Sequence, residues 1–115
     1  MQEDKAKLVS ALSRNDLANR SRQGWLIPGY VSEEQFWLLV GASSMHSEKV
    51  INALFEYLVQ GKTRKEACNK YKTNSGHFSI GLNRLQHFSH TGAKLAKYYS
   101  EHQLYTDSVY EFRRK

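Results

Sequence analysis

One amphipathic segment, residues 48–60, restricts the fold more than any other part of the chain. Its apolar residues recur at i, i+1, i+4, i+5 and i+8, and they are Val50, Ile51, Leu54, Phe55 and Leu58. This spacing places them on one face of an α-helix, which Ser47 can cap and Gly61 can end. No stretch of useful length shows the apolar and polar alternation of a β-strand. The sequence therefore predicts an all-α fold, a small domain of about five helices.

Two capping boxes predict where neighbouring helices begin. Ser32 precedes Gln35 by three residues, and Thr63 precedes Glu66 by the same spacing. In this motif the hydroxyl accepts from a backbone amide while the longer side chain reaches back. We therefore expect helices near 33–44 and at 63–71.

The remaining helix patterns lie after residue 74 and before residue 23. Phe78, Leu82 and Leu85 share one helical stripe, which predicts a helix over 75–88. The pattern restarts around Ser89 and His90, so a separate helix is expected near 92–102. Residues 5–22 are predicted to be a weak helix or a disordered arm.

The chain of 115 residues is long enough for one domain with a hydrophobic core. The Pro28–Gly29 pair marks a turn at the entrance to that domain. We predict an N-terminal arm over 1–25, the domain over 26–104 and a basic tail over 105–115.

Composition excludes several classes of protein. No apolar run approaches the roughly 20 residues that span a bilayer, and the N-terminus has no secretory signal. A single cysteine forms no internal disulfide and fits a reducing compartment, so the expected location is cytoplasmic and nucleoid-associated. No catalytic triad or nucleophile elbow is present, which argues against an enzyme. We expect no cofactor, no metal, no membrane partner and no small-molecule ligand.

Positive charge is concentrated between residues 61 and 87. Six basic residues and one acidic residue, Glu66, give this segment a net charge of +5, against +6 for the whole chain. The basic residues are Lys62, Arg64, Lys65, Lys70, Lys72 and Arg84. Charge gathered on one compact element favours a polyanionic partner that fits against a pair of helices, which indicates nucleic acid.

The predicted helices at 63–71 and 75–88, joined by a short polar turn, are typical of a helix-turn-helix. In that motif the first helix braces the second, whose exposed face can enter the major groove. Close packing of the two helices requires a small residue on the first, and Cys68 can serve. Tyr71 and Phe78 are expected where the inner faces meet.

The candidate DNA-binding residues divide by chemistry. Cations near the start of the first helix suit phosphates, and polar side chains on the second helix suit bases or backbone. The complete candidate set is Lys62, Thr63, Arg64, Lys65, Cys68, Lys72, Asn74, Ser75, His77, Ser79, Asn83 and Arg84.

The residues that carry this pattern also resemble a known family. Collinear matches run from about Leu26 to Tyr99, and they include Leu26-Ile27-Pro28-Gly29, Ser32-Glu33, Ser43-Ser44, His46-Ser47, Val50-Ile51, Arg64-Lys65-Glu66, Cys68, Lys70-Tyr71, Asn74, Gly76, Phe78-Ser79 and Arg84-Leu85. The chain resembles the PapB-type regulators of enterobacterial fimbrial (adhesin) operons.

The resemblance implies a bacterial transcription regulator that binds A·T-rich repeats as a dimer or higher oligomer, with minor-groove contacts. Arg64 and Cys68 match positions that the family pattern associates with DNA binding. We interpret Arg64 as touching DNA and Cys68 as supporting the helix pair.

Two other functions stay open at this point. The basic cluster can be a solvated helix face, and Trp25, Trp37 and Tyr30 can form either ordinary packing or a subunit interface. A protein-binding adaptor without nucleic-acid activity is one alternative. An RNA-binding regulator is the other, although the sequence has no aromatic stacking platform of the RNA-recognition kind.

Overall fold

The computed structural model describes residues 14–101, which form five α-helices and contain no β-strand. The helices are α1 (Arg14–Arg22), α2 (Glu33–Ser43), α3 (Glu48–Leu58), α4 (Arg64–Tyr71) and α5 (Ser75–Glu101). The predicted all-α fold is confirmed. Of the predicted arm, residues 14–22 are helical and residues 23–25 lead out of that helix, while residues 1–13 and the tail over 105–115 lie outside the described residues. The domain boundaries stay predictions.

The helices begin where side chains satisfy their first backbone amides. The Ser32 hydroxyl accepts from the Gln35 amide at 3.1 Å, and the Ser47 hydroxyl accepts from the Val50 amide at 3.4 Å. At α4 the capping box is complete, since the Thr63 hydroxyl accepts from the Glu66 amide and the Glu66 carboxylate accepts from the Thr63 amide, both at 3.1 Å. Each cap replaces a hydrogen bond that the helix itself cannot supply.

Helix α3 lies at the centre of the fold and contacts α2, α4 and α5. Its Leu54 and Leu58 are fully buried, together with Phe36 of α2 and Phe78 and Leu85 of α5. This set forms one continuous apolar cluster. Burial of such side chains stabilises the fold by about 1.5–3 kcal/mol each.

Small residues set how closely the helices approach. A Cβ built at Gly81 of α5 would lie 2.7 Å from Val50 Cγ1 and 3.1 Å from Leu54 Cδ1, so α3 and α5 touch at this glycine. In α4 the deepest small residue is Ala67, whereas Cys68 is half-buried at the edge of the cluster. Both residues are small and pack at the core, and the prediction that Cys68 is the small residue of the helix contact stays a prediction.

The predicted interruption at Ser89 and His90 is wrong, since α5 runs without a break from Ser75 to Glu101. Tertiary contacts explain the difference. The His90 ring stacks on Trp25 with centroids 4.2 Å apart, its Nδ1 meets the Gln23 carbonyl oxygen, and Gly24 packs against the backbone of Ser89. These contacts hold a helical conformation through a segment whose polar residues alone do not favour it.

The chain between α1 and α2 is tied to two other helices. The Gly29 and Val31 amides donate to the Leu58 carbonyl at 2.8 and 3.2 Å. The Gln86 side chain pairs with both backbone groups of Leu26, at 2.8 and 3.0 Å. Residues 26–31 are thereby held against the C-terminal end of α3 and the middle of α5. Within residues 14–101 no helix combines the length and the apolar character that crossing a membrane requires.

Candidate nucleic-acid interface

Helices α4 and α5 are joined by a three-residue turn, residues 72–74. Lys72 adopts the left-handed conformation (φ 54°), and its amide and the Thr73 amide donate to carbonyls at the end of α4. This satisfies the last carbonyls of α4 and redirects the chain within one residue. The order helix, turn, helix is the one predicted from the sequence.

Arg64 joins the start of α4 to the second turn of α5. Its Nη2 donates to the Ser79 hydroxyl at 2.6 Å, and its guanidinium carbon lies 4.9 Å from the centroid of the Phe78 ring. The side chain is half-buried. The N-terminus of α4 therefore lies next to the second turn of α5.

The other cations of this region fall into two groups. Lys62, Lys65 and Lys72 are exposed around α4. Lys70 instead forms an ion pair with Glu56 of α3, 3.4 Å between Nζ and Oε2, and the Glu56 charge raises the pKa of Lys70. Tyr71 also donates to Glu56, at 3.3 Å. Lys70 therefore belongs to the α3–α4 contact, and the exposed lysines carry the charge of the predicted DNA surface.

The exposed side of α5 agrees with the side predicted to face outward. His77, Ile80, Asn83, Arg84 and His87 are exposed, while Phe78, Gly81 and Leu85 of the same helix are buried. Ile80 is the apolar member, with 63% of its surface accessible. The helix thus presents a mixed row of donors, one cation and one aliphatic side chain.

Several candidate residues have structural partners within the protein. Thr63 is buried and its hydroxyl serves the cap of α4. Ser79 accepts from Arg64, and Asn74 caps α5 through its Oδ1, which accepts from the His77 amide at 2.7 Å. Ser75 is exposed at the first position of α5. These contacts give Thr63, Ser79 and Asn74 a role in holding the surface together.

Cys68 is half-buried and packs against the hydrophobic core. Burial raises the pKa of its thiol, and the positive charge of Arg64 offsets only part of that effect. A thiol of raised pKa stays protonated at neutral pH and is a poor nucleophile. Partial burial against the core fits the interpretation that the side chain supports the helix pair, and that role stays a prediction.

A groove that the sequence did not reveal borders α5. It has a volume of about 330 Å³ and is lined by Met45, His46, Ser47, Val50, His77, Ile80, Gly81 and Arg84. It brings the α2–α3 connection next to the exposed side of α5. His46 could not be identified from the sequence, because only the packing of α3 against α5 places it there.

A second, larger groove lies between α2 and the C-terminal half of α5. It has a volume of about 830 Å³, and its apolar lining includes Leu38, Leu39, Phe88 and Leu95, with Glu34 at the same groove. Trp37 is outside it, stacked on Phe55 with centroids 5.8 Å apart. Within the described part of the chain, no group of three or more histidine, cysteine or acidic side chains is arranged to hold a metal ion.

Comparison with known proteins gives consistent results. The family model PapB, described as adhesin biosynthesis transcription regulatory protein, matches residues 7–99. The major pilus subunit operon regulatory protein PapB of Escherichia coli is 45% identical over 93 residues, which cover 81% of this chain and 89% of that protein. The AFA-III adhesin operon regulatory protein of Escherichia coli is 51% identical over 77 residues, 67% of this chain and 76% of that protein.

A solved structure is similar as well. The crystal structure of Escherichia coli FocB superposes with a TM-score of 0.62 at 45% sequence identity, covering 76% of this chain and 99% of that one. The similarity therefore extends from the sequence to the arrangement of the helices.

Proposed function

This chain belongs to the PapB family of adhesin biosynthesis transcription regulatory proteins, and from that premise we propose that it regulates fimbrial or adhesin genes by binding double-stranded DNA. The family consists of transcription regulators and not of enzymes. The expected site of action is chromosomal DNA. The predicted cytoplasmic, nucleoid-associated location is therefore part of this proposal.

The observation that carries the proposal is the contact between Arg64 and Ser79. Because it joins the start of α4 to α5, the exposed lysines and the outward side of α5 can meet one duplex together. Lys62, Lys65 and Lys72 suit phosphates, whose neutralisation releases counterions and supplies most sequence-independent affinity. The exposed residues of α5 then reach the base edges.

The chemistry of that helix favours A·T pairs. Asn83 has the amide that pairs with both N6 and N7 of adenine in the major groove, and an aliphatic side chain such as Ile80 suits the methyl group of thymine. We propose that α5 lies in the major groove of A·T-rich repeats. Protection of the minor groove alone in footprinting would contradict this placement and favour insertion of Arg64 into that groove.

A dimer is part of the proposal, with a second copy seated in the α2–α5 groove. Beyond the contact with Trp25, α5 exposes Leu95, Tyr98 and Tyr99. An apolar helix side of this kind is stable when it packs against another element. Glu34 at the groove is opposite in charge to the exposed Lys94 and Lys97, which favours the C-terminal half of α5 of a second copy as the occupant. Two copies would present two reading helices to successive repeats.

Titration of an A·T-rich and a G·C-rich duplex over a range of salt concentrations tests DNA binding. Lys65→Ala is expected to weaken both complexes and to reduce the slope of log K against log salt by about 1, since one phosphate contact is lost. The matched control is Arg20→Ala, which removes an exposed cation from α1. Equal behaviour of the two variants would remove Lys65 from the surface.

Arg64→Ala is expected to lower affinity at least tenfold, and also to cost about 1 kcal/mol of unfolding free energy because the hydrogen bond to Ser79 is lost. Ser79→Ala removes the same bond without removing the charge. It should reproduce the stability loss and only part of the affinity loss. An Arg64→Ala variant that binds like the parent would contradict DNA contact by this residue.

Two further measurements address the alternatives and the dimer. Titration with single-stranded RNA of matching composition should give weaker binding than duplex DNA, and an adaptor would bind neither in a salt-dependent way. Sedimentation of Leu38→Asp should give a monomer where the parent is a dimer, with Asn52→Asp, an exposed position on α3, as the charge-matched control.

A further inference from the structure

We propose that Asn74 is a positioning residue that sets the tautomer of His77, so that His77 presents its Nε2–H as a fixed donor to an acceptor atom of the duplex. The proposal rests on the DNA-binding function above. It adds a specific task for one imidazole nitrogen and explains why an asparagine, rather than any other capping residue, stands before α5.

The cap fixes which way the Asn74 amide points. Its Oδ1 accepts from the backbone amide of His77 at 2.7 Å, three residues into the start of the helix. A backbone N–H can only donate, so the oxygen of the amide must face it. The Nδ2 group is consequently turned toward the His77 ring, where it lies 3.2 Å from Nδ1.

This orientation determines where the imidazole carries its hydrogen. Nδ2 is a donor without acceptor capacity, so Nδ1 has to be the acceptor of the contact. A neutral imidazole with an accepting Nδ1 holds its hydrogen on Nε2. The ring is held at one nitrogen and offers a donor at the other.

The position of His77 gives that donor a target. His77 is exposed on the first turn of α5 and lines the same groove as Ile80, Arg84 and His46. Phosphate oxygens and the N7 atoms of purines are acceptors without a hydrogen to give, so a fixed donor suits them. The reversed tautomer would present a lone pair to those same atoms.

Capping by itself does not require this arrangement. Serine and aspartate cap helix N-termini about as well as asparagine, because only an acceptor oxygen is needed. The amide nitrogen is the part that the cap leaves unused, and it is the part that meets the ring. Asn74→Ser therefore separates the two roles, since it keeps the cap and removes the donor to Nδ1.

The first test uses the free protein. Long-range proton–nitrogen correlation spectra, recorded where the histidines are neutral, should show His77 with hydrogen on Nε2 and a bare Nδ1. In Asn74→Ser the same ring should show a mixture of both tautomers, while His87 stays unchanged as the internal reference. A parent spectrum with hydrogen on Nδ1 of His77 would overturn the assignment, whatever the protein does with DNA.

The second test places a donor at one or the other ring position. The amide nitrogen of glutamine lies near Nε2 of the replaced histidine, and that of asparagine lies near Nδ1. We expect His77→Gln to bind an A·T-rich duplex within about threefold of the parent, and His77→Asn and His77→Ala to lose about tenfold, the equivalent of one hydrogen bond. Asn74→Ser should lie between them, with unfolding unchanged.

The outcomes distinguish this proposal from the function on which it rests. If Lys65→Ala weakens binding while all three His77 variants bind like the parent, DNA binding stands and the role of His77 is refuted. If His77→Gln is as weak as His77→Asn, the donor is not at Nε2. If the parent binds no duplex, the DNA function fails, and the spectra still decide the tautomer.

Discussion

The two halves of α5 share one helix but face different surroundings. The half from Ser75 to His87 is backed by the core through Phe78, Gly81 and Leu85, and its outward side is mostly polar. The half after His87 is exposed on most sides and carries large apolar groups outward. A helix with a buried apolar side and an exposed polar side suits a charged, hydrated partner such as DNA. Exposed apolar side chains instead suit contact with another protein surface. The contrast fits the two binding roles proposed above for this helix, with DNA at the first half and a second copy at the other.

Replacing Leu85 or Leu95 by alanine should give the largest difference in unfolding free energy between the two halves. Leu85 is fully buried and Leu95 is 49% exposed. Leu85→Ala should lower the unfolding free energy by about 2–5 kcal/mol, because it leaves a cavity in the core. Leu95→Ala should change the unfolding of the monomer by less than about 0.5 kcal/mol and instead weaken self-association.

Denaturant unfolding at low protein concentration and sedimentation at high concentration measure the two effects separately. A Leu95→Ala variant as unstable as Leu85→Ala at the lower concentration would show that the second half is part of the core. The contrast between the halves would then be wrong.

Gly81 tests how tightly the first half is docked. Gly81→Ala adds a methyl group 2.7 Å from Val50 Cγ1, in contact with a buried side chain of α3. Overpacking of this kind costs about 1–3 kcal/mol, which exceeds the gain of about 0.5–1 kcal/mol from replacing a helical glycine. Thermal unfolding should therefore show net destabilisation. A more stable variant would mean that α3 and α5 can separate at little cost.

Trp25 tests the junction between the halves. Its ring stacks on His90, at the place where sequence patterns predicted two helices instead of one. Trp25→Ala removes a contact worth about 0.5–1.5 kcal/mol beyond area burial, and it should loosen the helix after His87 more than the helix before it. Hydrogen exchange of the amides on both sides measures this difference. Equal loss of protection throughout α5 would indicate a single cooperative unit.

The features that the sequence did predict are local. The caps at Ser32, Ser47 and Thr63 and the inward-facing stripe of Phe78, Leu82 and Leu85 depend on residues three or four positions apart. Helix types, starts and inward faces follow from such short-range contacts.

The features that it missed depend on residues distant in the chain. His90 stays helical because Trp25 and Gln23 hold it, and the groove beside α5 exists because α3 packs at Gly81. Of the candidate site, charge clustering identified the cations, whereas the Arg64–Ser79 bond needed the packing of α4 on α5. Spacing along one helix carries no information on these pairings.

Gly92→Ala is the substitution with the smallest expected effect on stability. Apart from the neighbouring backbone of α5 itself, no heavy atom of the described residues lies within 4 Å of a Cβ built there, so Gly92→Ala adds no clash within one chain. The substitution should favour the helix by about 0.5–1 kcal/mol through lower backbone entropy in the unfolded chain. Because the second half is the less supported one, the gain should show as slower hydrogen exchange after His87, with little change before it.

Gly92 also lines the α2–α5 groove, so a partner helix seated closely there would meet the new methyl group. Slower exchange combined with weaker self-association would place the second copy at this glycine, while stronger association would mean that ordering the helix is what limits the dimer. An exchange rate equal to the parent's would contradict the expected cost of glycine in this helix.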